Sequence, residues 1–348
     1  MIEKRNCYLV SYNGLSNAGG VEKVSYYLNK ILQKRDFNII LVDKQLIEES
    51  FLGKLFGIIF KKVPITVFTL LASFYIRFYK KRDDISITQG FNAPFLKTDY
   101  LYVHGTMRGY VESVGQKKTF ALRMLFFLEK IAIKNAKKIL SVSQNAIDEI
   151  EKFYTKKQLD YSIVNNGVDS DNFFPNISNL PTSQITVLYC GRLDEGKGLS
   201  QLLNLAAEAE QDPKIKFLIA CNNNCNTDLF RKFNRTQINI GLSSDDMSLF
   251  YNKGNILFFP SLYEGFEMVS LEALSSGIPV LGNKVGAVAE LKKNNAPGVY
   301  IIDYCRPILK QIREIVDQNN DKQYFLHQYY KSKFDIVVYA EKLNKIIN

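Results

Sequence analysis

Long apolar runs are missing from this chain. The longest uncharged apolar stretch of the first half, residues 63–76, has 14 residues and contains Pro64, whereas a membrane-spanning helix needs about 20. No spanning segment is expected. No signal peptide is expected either: the start, Met1-Ile-Glu-Lys-Arg-Asn6, is charged and runs into a short strand-like stretch at 7–11 with no apolar core region, so export is not expected. Cysteine is sparse, with five residues at irregular positions (Cys7, Cys190, Cys221, Cys225 and Cys305). An odd number without a spacing pattern argues against a secreted disulfide framework and fits a reducing cytoplasm. Cys221 and Cys225 have no second pair or nearby histidine to complete a zinc site, and the only histidines are His104 and His327. Internal short-period repeats and low-complexity tracts are absent as well.

What remains is an ordinary globular composition. Hydrophobic residues make up 46% and charged residues 23% of 348, which excludes disordered, collagenous and coiled-coil classes, and the length suits two domains. The net charge is +10, and it is lopsided: residues 1–180 hold 26 Lys+Arg against 17 Asp+Glu, and residues 181–348 hold 19 against 18. A basic first half points to an anionic partner such as a membrane surface or nucleic acid, or to a solvated basic face. No recognised nucleic-acid module accompanies the charge, so nucleic acid is not expected. The stretch 51–82 interleaves aromatic and aliphatic residues with Lys54, Lys61, Lys62, Arg77, Lys80, Lys81 and Arg82. It reads equally as a membrane-interface segment or as helices packed inside the first domain. The similar stretch 117–138 leads straight into a strand-like run and reads as a crossover helix.

Short β-rich runs alternate with helical patterns: a strand at 8–11, a helix over about 21–33 and a strand at 38–42, then strands at 185–190, 216–220, 237–240, 256–259 and 280–281 with a helix over about 198–210. That alternation predicts two parallel α/β sheets. Residues 174–183 are rich in Pro, Ser and Asn and read as the linker. The expected domains are 1–177 and 178–332, with 333–348 packing back on the first.

Three strand-loop-helix junctions carry chemistry. Ser16-Asn-Ala-Gly-Gly-Val-Glu22 places Gly19 and Gly20 at a helix start, where a backbone can approach a phosphate; a plain turn would read the same way. It is not the dinucleotide fingerprint, which needs G-x-G-x-x-G. Leu188-Tyr-Cys-Gly-Arg-Leu-Asp-Glu-Gly-Lys-Gly198 supplies the planar fork of Arg192 and the compact charge of Lys197, a pair suited to a diphosphate. A Walker A loop is excluded because Gly198 stands where Ser or Thr is required. Pro260-Ser-Leu-Tyr-Glu-Gly-Phe-Glu-Met-Val-Ser-Leu-Glu272 puts Glu264 in a loop and Glu272 inside a helix over about 268–276. A loop carboxylate can accept from sugar hydroxyls or support developing positive charge, and a helix carboxylate can take both hydroxyls of a ribose. Taken singly, either could be a solvated side chain.

These segments, in this order and together with Asn166-Gly-Val-Asp-Ser-Asp-Asn-Phe-Phe-Pro175, resemble the motif set of retaining GT-B glycosyltransferases with the Glu-x7-Glu motif, a family 4-like group. The resemblance covers nearly the whole chain and implies two Rossmann-like parallel-sheet domains facing a central cleft. It implies that Arg192 and Lys197 hold the diphosphate of a nucleotide-sugar donor, Glu272 the ribose and Glu264 the transferred sugar. Gly265, Phe266, Glu267, Met268 and Val269 would complete the donor site, and Gly19 and Gly20 would face the diphosphate from the first domain. The family's histidine after a central strand corresponds to His104, in Tyr100-Leu-Tyr-Val-His-Gly-Thr106.

The implied activity is metal-independent sugar transfer to a glycan or lipid-linked acceptor. The setting would be surface polysaccharide assembly at the inner face of the cell membrane, by a cytoplasmic, peripheral protein that needs no cofactor. A GT-B sugar-nucleotide 2-epimerase and a non-catalytic basic membrane-surface binding protein are the rival readings. Two positions depart from the pattern. Glu267 stands where a small residue or Pro is usual, and it could reach the sugar or point to solvent; Cys221-Asn-Asn-Asn-Cys225 replaces a Gly-x-Gly turn. Asp169-Ser-Asp171 imitates a metal-binding D-x-D pattern, but it lies in an Asn-Gly-Val-Asp turn and is assigned to local structure.

Overall fold

The computed structural model describes residues 4–15, 19–35, 37–176, 184–222 and 226–347. Residues 16–18, Cys225 and most of the expected linker lie outside these. The chain divides into two compact units, Met1–Asn165 with Lys342–Asn348, and Asn166–Glu341. The sequence places the division at 177/178; in the structure it falls before Asn166, because the Asn-Gly-Val-Asp turn is bonded into the second unit. Val168 N–H donates to Phe334 O (2.8 Å), Ile336 N–H donates to Val168 O (2.9 Å), and the Ser275 hydroxyl donates to Phe173 O (2.9 Å).

In the first unit, β1 (Asn6–Val10), β2 (Asn38–Val42), β3 (Ile85–Gln89), β4 (Tyr100–Val103), β5 (Lys138–Ser141) and β6 (Tyr161–Ile163) form a parallel sheet ordered β2-β1-β3-β4-β5-β6. β1 and β3, covered on both faces, are buried along nearly their whole length, and β3 buries the polar Ser86, Thr88 and Gln89 as well as Ile85 and Ile87. α1 (Gly20–Gln33) joins β1 to β2; α2 (Lys44–Glu49), α3 (Phe51–Leu55), α4 (Gly57–Lys62) and α5 (Pro64–Tyr79) join β2 to β3. α6 (Met107–Ser113) and α7 (Phe120–Asn135) lead to β5, and α8 (Gln144–Phe153) to β6. The helix expected over 117–138 is therefore α7. Pro64 starts α5, where its missing N–H costs nothing. Asp43, Thr106, Thr119 and Ser143 cap the starts of α2, α6, α7 and α8 by accepting backbone N–H bonds. Phe68, Ala72 and Ile76 of α5 pack on Tyr8, Val10 and Val42, while Ala132, Ile133, Ala146 and Ile147 cover Leu101, Val103 and Ile139. The chain end is tied here as well, Tyr100 hydroxyl donating to Ile346 O at 3.1 Å.

The second unit repeats the plan. β7 (Ile185–Cys190), β8 (Ile215–Cys221), β9 (Thr236–Ile240), β10 (Ile256–Phe259), β11 (Val280–Gly282) and β12 (Val299–Ile301) run parallel in the order β12-β11-β10-β7-β8-β9. Around them lie α9 (Leu199–Glu210), α10 (Ser244–Tyr251), α11 (Met268–Ser275), α12 (Gly286–Lys293), α13 (Ile308–Asn319) and α14 (Gln323–Phe334), followed by α15 (Ile336–Ile346), whose end counts with the first unit. Phe217, Ile219, Val187, Leu202 and Ile312 centre the core, each such side chain contributing about 1.5–3 kcal/mol by burial.

Both sheets reverse their winding once, at β1/β3 and at β7/β10. Such switch points open a crevice at the carboxyl ends of the strands, where ligands of α/β proteins bind. No helix among the described residues is long and apolar enough to cross a membrane.

Candidate active site

In the second unit the loops leaving β7 and β10 are fastened to each other at the switch point. After β7, Gly191 turns the chain with φ +152°, and the Tyr189 hydroxyl donates to Arg192 O at 2.5 Å. Asp194 then caps a short 3-10 turn, Glu195–Lys197, by accepting from Lys197 N–H (3.1 Å). Gly198 follows at φ +79°, where a Cβ would stand 2.4 Å from Pro260 O. Only glycine permits both that conformation and that approach. From the other side, Leu262 N–H donates to Gly196 O at 2.9 Å, and Asn283 Nδ2 donates to Pro260 O (2.9 Å) and Ser261 O (3.1 Å).

This clasp brings two of the expected residues together. Lys197 Nζ is ion-paired with Glu264 Oε1, which also accepts from the Ser261 hydroxyl (2.6 Å). Both side chains are mostly buried, so the pair is less screened than one in open water. Arg192 stays exposed on the same loop, its Nε 3.3 Å from Asp194. α11 begins immediately after Gly265-Phe266-Glu267, and no side chain caps its start. The first-turn N–H groups, including those of Met268 and Val269, and the positive end of the helix dipole therefore favour an anion. Phe266 is buried with its ring near that of Phe334, so it offers ligands its backbone, and its carbonyl accepts from Asn166 Nδ2 at 2.6 Å.

The two remaining carboxylates differ sharply. Glu272, one turn into α11, is buried and accepts from the Tyr251 hydroxyl at 3.1 Å. Burial, Cys190 and Glu272 hold that phenol well above its usual range, so it remains a donor. Glu267 does not point to solvent. Its carboxylate is buried, accepts from the Ser270 hydroxyl (2.7 Å) and from Ala287 N–H at the start of α12 (2.8 Å), and is raised to about 7 by burial and then by the charge of Glu264. Gly286, at φ +51°, makes room: a Cβ there would fall 2.2 Å from Glu267 Oε2 and 2.5 Å from Glu264 Cβ.

In the first unit the expected residues sit at the carboxyl ends of β1 and β4. Gly19 precedes α1 in extended backbone, and among the described residues no side chain caps it and nothing lies within 4 Å of a Cβ built on Gly20. A Cβ on Gly19 would instead strike the Glu22 carboxylate, which accepts from Asn13 at 2.6 Å. His104 leaves β4 with its ring stacked on Tyr102 (centroids 4.9 Å apart) and its Nε2 2.6 Å from Gln89 Oε1 at the end of β3. Burial pushes the imidazole down to about 4, so it is neutral near pH 7. With the amide oxygen as acceptor, the ring proton is assigned to Nε2, and Nδ1 is left as an acceptor. The loop behind it is braced by Glu129, which accepts from Met107 N–H at 3.1 Å and from Tyr154, and by Glu149, which accepts from the Thr106 hydroxyl at 2.6 Å.

Tyr251, Ser261 and Asn166 complete the second-unit site without having been singled out. Ser261 and Asn166 lie within the quoted motifs, whereas nothing local marks Tyr251 on α10. Among the described residues no group of three His, Cys, Asp or Glu side chains could hold a metal ion. Asp169 accepts from Asn172 N–H, and Asp171 pairs with Lys331 at 2.6 Å.

Comparison with known proteins extends this picture. Residues 170–331 match the family model for glycosyl transferases group 1. The capsular polysaccharide biosynthesis glycosyltransferase CapM of Staphylococcus aureus is 25% identical, over 70% of this chain and 69% of its own. The chain spans about half the length of several other curated relatives it matches. Among solved structures, a sucrose-phosphate synthase from Thermosynechococcus elongatus superimposes with a TM-score of 0.78 at 16% identity, covering 99% of this chain and 98% of the other. Anabaena HepE, in complex with UDP-glucose, gives 0.67 at 14% identity, with 98% of each chain covered. The fold is GT-B, two parallel six-stranded sheets with surrounding helices, and the greater part of the second unit is similar to glycosyl transferases group 1.

Proposed function

We propose that the protein transfers a sugar from a nucleoside-diphosphate donor to a hydroxyl of a glycan or lipid-linked acceptor, with retention of anomeric configuration. Its setting is the assembly of a bacterial surface polysaccharide such as lipopolysaccharide, O-antigen or capsule. The observation that carries this reading is the Lys197–Glu264 pair, clamped between two strand-end loops beside the uncapped start of α11. Without a donor, each charge satisfies the other. A bound diphosphate supplies Lys197 with stronger acceptors, and Glu264 is then able to accept from a sugar hydroxyl and to support positive charge at the anomeric carbon. Arg192 forks onto phosphate oxygens, and the N–H groups of Met268 and Val269 add to the field that stabilises the departing diphosphate. Glu272, steadied by Tyr251, suits the two hydroxyls of a ribose.

In the first unit, the backbone at Gly20 leaves room for a phosphate oxygen once the Glu22 carboxylate beside Gly19 turns aside, and neutral His104 presents an acceptor nitrogen to a sugar hydroxyl. Protein cations do the work that a metal does elsewhere, so the reading includes no cofactor. The basic first half supports an anionic membrane surface as the place of work, with the protein cytoplasmic and peripheral.

The test is transfer from labelled donor to a lipid-linked acceptor extract, run in excess EDTA, with the product's anomeric configuration read by NMR. Lys197→Ala and Arg192→Ala should each lower turnover by about 10²-fold or more, the cost of one preorganised donor. Turnover within a few-fold of the parent in both variants, or an absolute need for added divalent metal, would overturn the assignment.

A further inference from the structure

The β2-to-β3 crossover contains two short helices that do little for the core. In α3 and α4 only Gly53 and Phe60 are buried. Phe51, Leu55 and Ile58 are 81%, 66% and 79% exposed, and Ile59 stands at 50%. Soluble surfaces scatter such side chains singly; a cluster within nine residues marks a contact site. The face is cationic as well as apolar. Lys54, Lys61 and Lys62 of the same two helices are exposed, and no acidic residue occurs between Glu49 and Asp83. In α4 the division is clean: Phe60 turns inward, while Ile58, Ile59, Lys61 and Lys62 turn outward. Farther along, Lys80 does not join them, because it is paired with Asp99 at 3.2 Å.

We propose that α3 and α4 form an insertion element for an anionic phospholipid bilayer. Phe51, Leu55, Ile58 and Ile59 enter the acyl boundary, and Lys54, Lys61 and Lys62 lie at headgroup phosphates. A second copy of the chain fits this face poorly, since pairing would set the same unbalanced cations against each other. The proposal rests on the reading that the protein works at a membrane and sharpens it: attachment is by a wedge, not by charge alone. Salt therefore screens only part of it.

The experiment is co-sedimentation of the full chain with vesicles of equal parts phosphatidylglycerol and phosphatidylcholine, and with phosphatidylcholine alone, at low salt and at about 1 M salt, where the Debye length is about 3 Å. The parent should bind anionic vesicles and keep a bound fraction at high salt. Leu55→Ser with Ile58→Ser should weaken partition by about 10²-fold or more at both salts, from the lost transfer of two aliphatic side chains. Lys61→Ser with Lys62→Ser should lower only the salt-sensitive part. Both positions in each variant are exposed, and unchanged melting temperature confirms the fold. If the Leu55/Ile58 variant sediments as well as the parent, the insertion element is overturned while membrane binding stands. If the parent binds neither vesicle, the membrane reading falls with it, and an Ile58-dependent dimer in that case assigns the face to a second copy.

Discussion

Glu267 carries the largest electrostatic tension in the second-unit site. A buried carboxylate beside Glu264 takes up its proton more readily than one in water, and its value rises to about 7. The sign follows from linkage: a group that binds protons more tightly in the folded state stabilises fully below its unfolded value, and that stabilisation is lost as pH rises through the folded one. Between about pH 4.5 and 7 the parent should thus lose stability through this group. Glu267→Gln keeps an oxygen for Ala287 N–H and places an amide beside the Ser270 hydroxyl, so it should fold and melt with a flatter pH dependence. Glu129 also rises to about 7 and acts with the same sign, while His104, lowered to about 4, acts oppositely between its two values. The readout is therefore the difference between variant and parent melting temperatures across pH. An identical slope in both would show that Glu267 is not protonated in the folded protein.

At the scale of elements, the site depends on how closely the β7 and β10 loops approach, and Gly198 sets that distance. Gly198→Ala would force a Cβ to 2.4 Å from Pro260 O at a left-handed φ. The conformation alone costs roughly 1–2 kcal/mol, and separating the loops would loosen the Lys197–Glu264 pair. The variant should lose stability and most of its donor affinity together, measured by melting and by binding; retention of parental affinity would show that the clasp does not shape the site. Much of this was legible from residues alone. Glycine at 198, cations at 192 and 197 and carboxylates at 264 and 272 follow one another in strand-loop-helix order, and local periodicity shows that order. Tyr251 beneath Glu272 and the brace from Asn166 to Phe266 were not legible as contacts, since each joins segments far apart in the chain. The direction of Glu267 was hidden for the same reason: its partner N–H is on α12, twenty residues on.

For the whole molecule, the two-sheet plan could be read from alternating strands and helices, whereas β3, with Ser86, Thr88 and Gln89 among its five residues, and the three-residue strands β6 and β12 were not found. The unit boundary was misplaced because Pro, Ser and Asn mark an exposed segment, not the point where contacts change sides. The repeated doubly wound plan places a crevice at the carboxyl end of each sheet, and under the proposed function the second unit's crevice takes a nucleoside-diphosphate sugar. The most direct test is a thermal-shift panel of UDP-, GDP- and ADP-sugars on the parent and on Lys197→Ala. One donor class should raise the parent's melting temperature, by about 5–10 °C at 100 times its dissociation constant, and should leave Lys197→Ala nearly unshifted. No shift with any of them, or an equal shift in the variant, would contradict the assignment of this crevice and of Lys197 to the donor diphosphate.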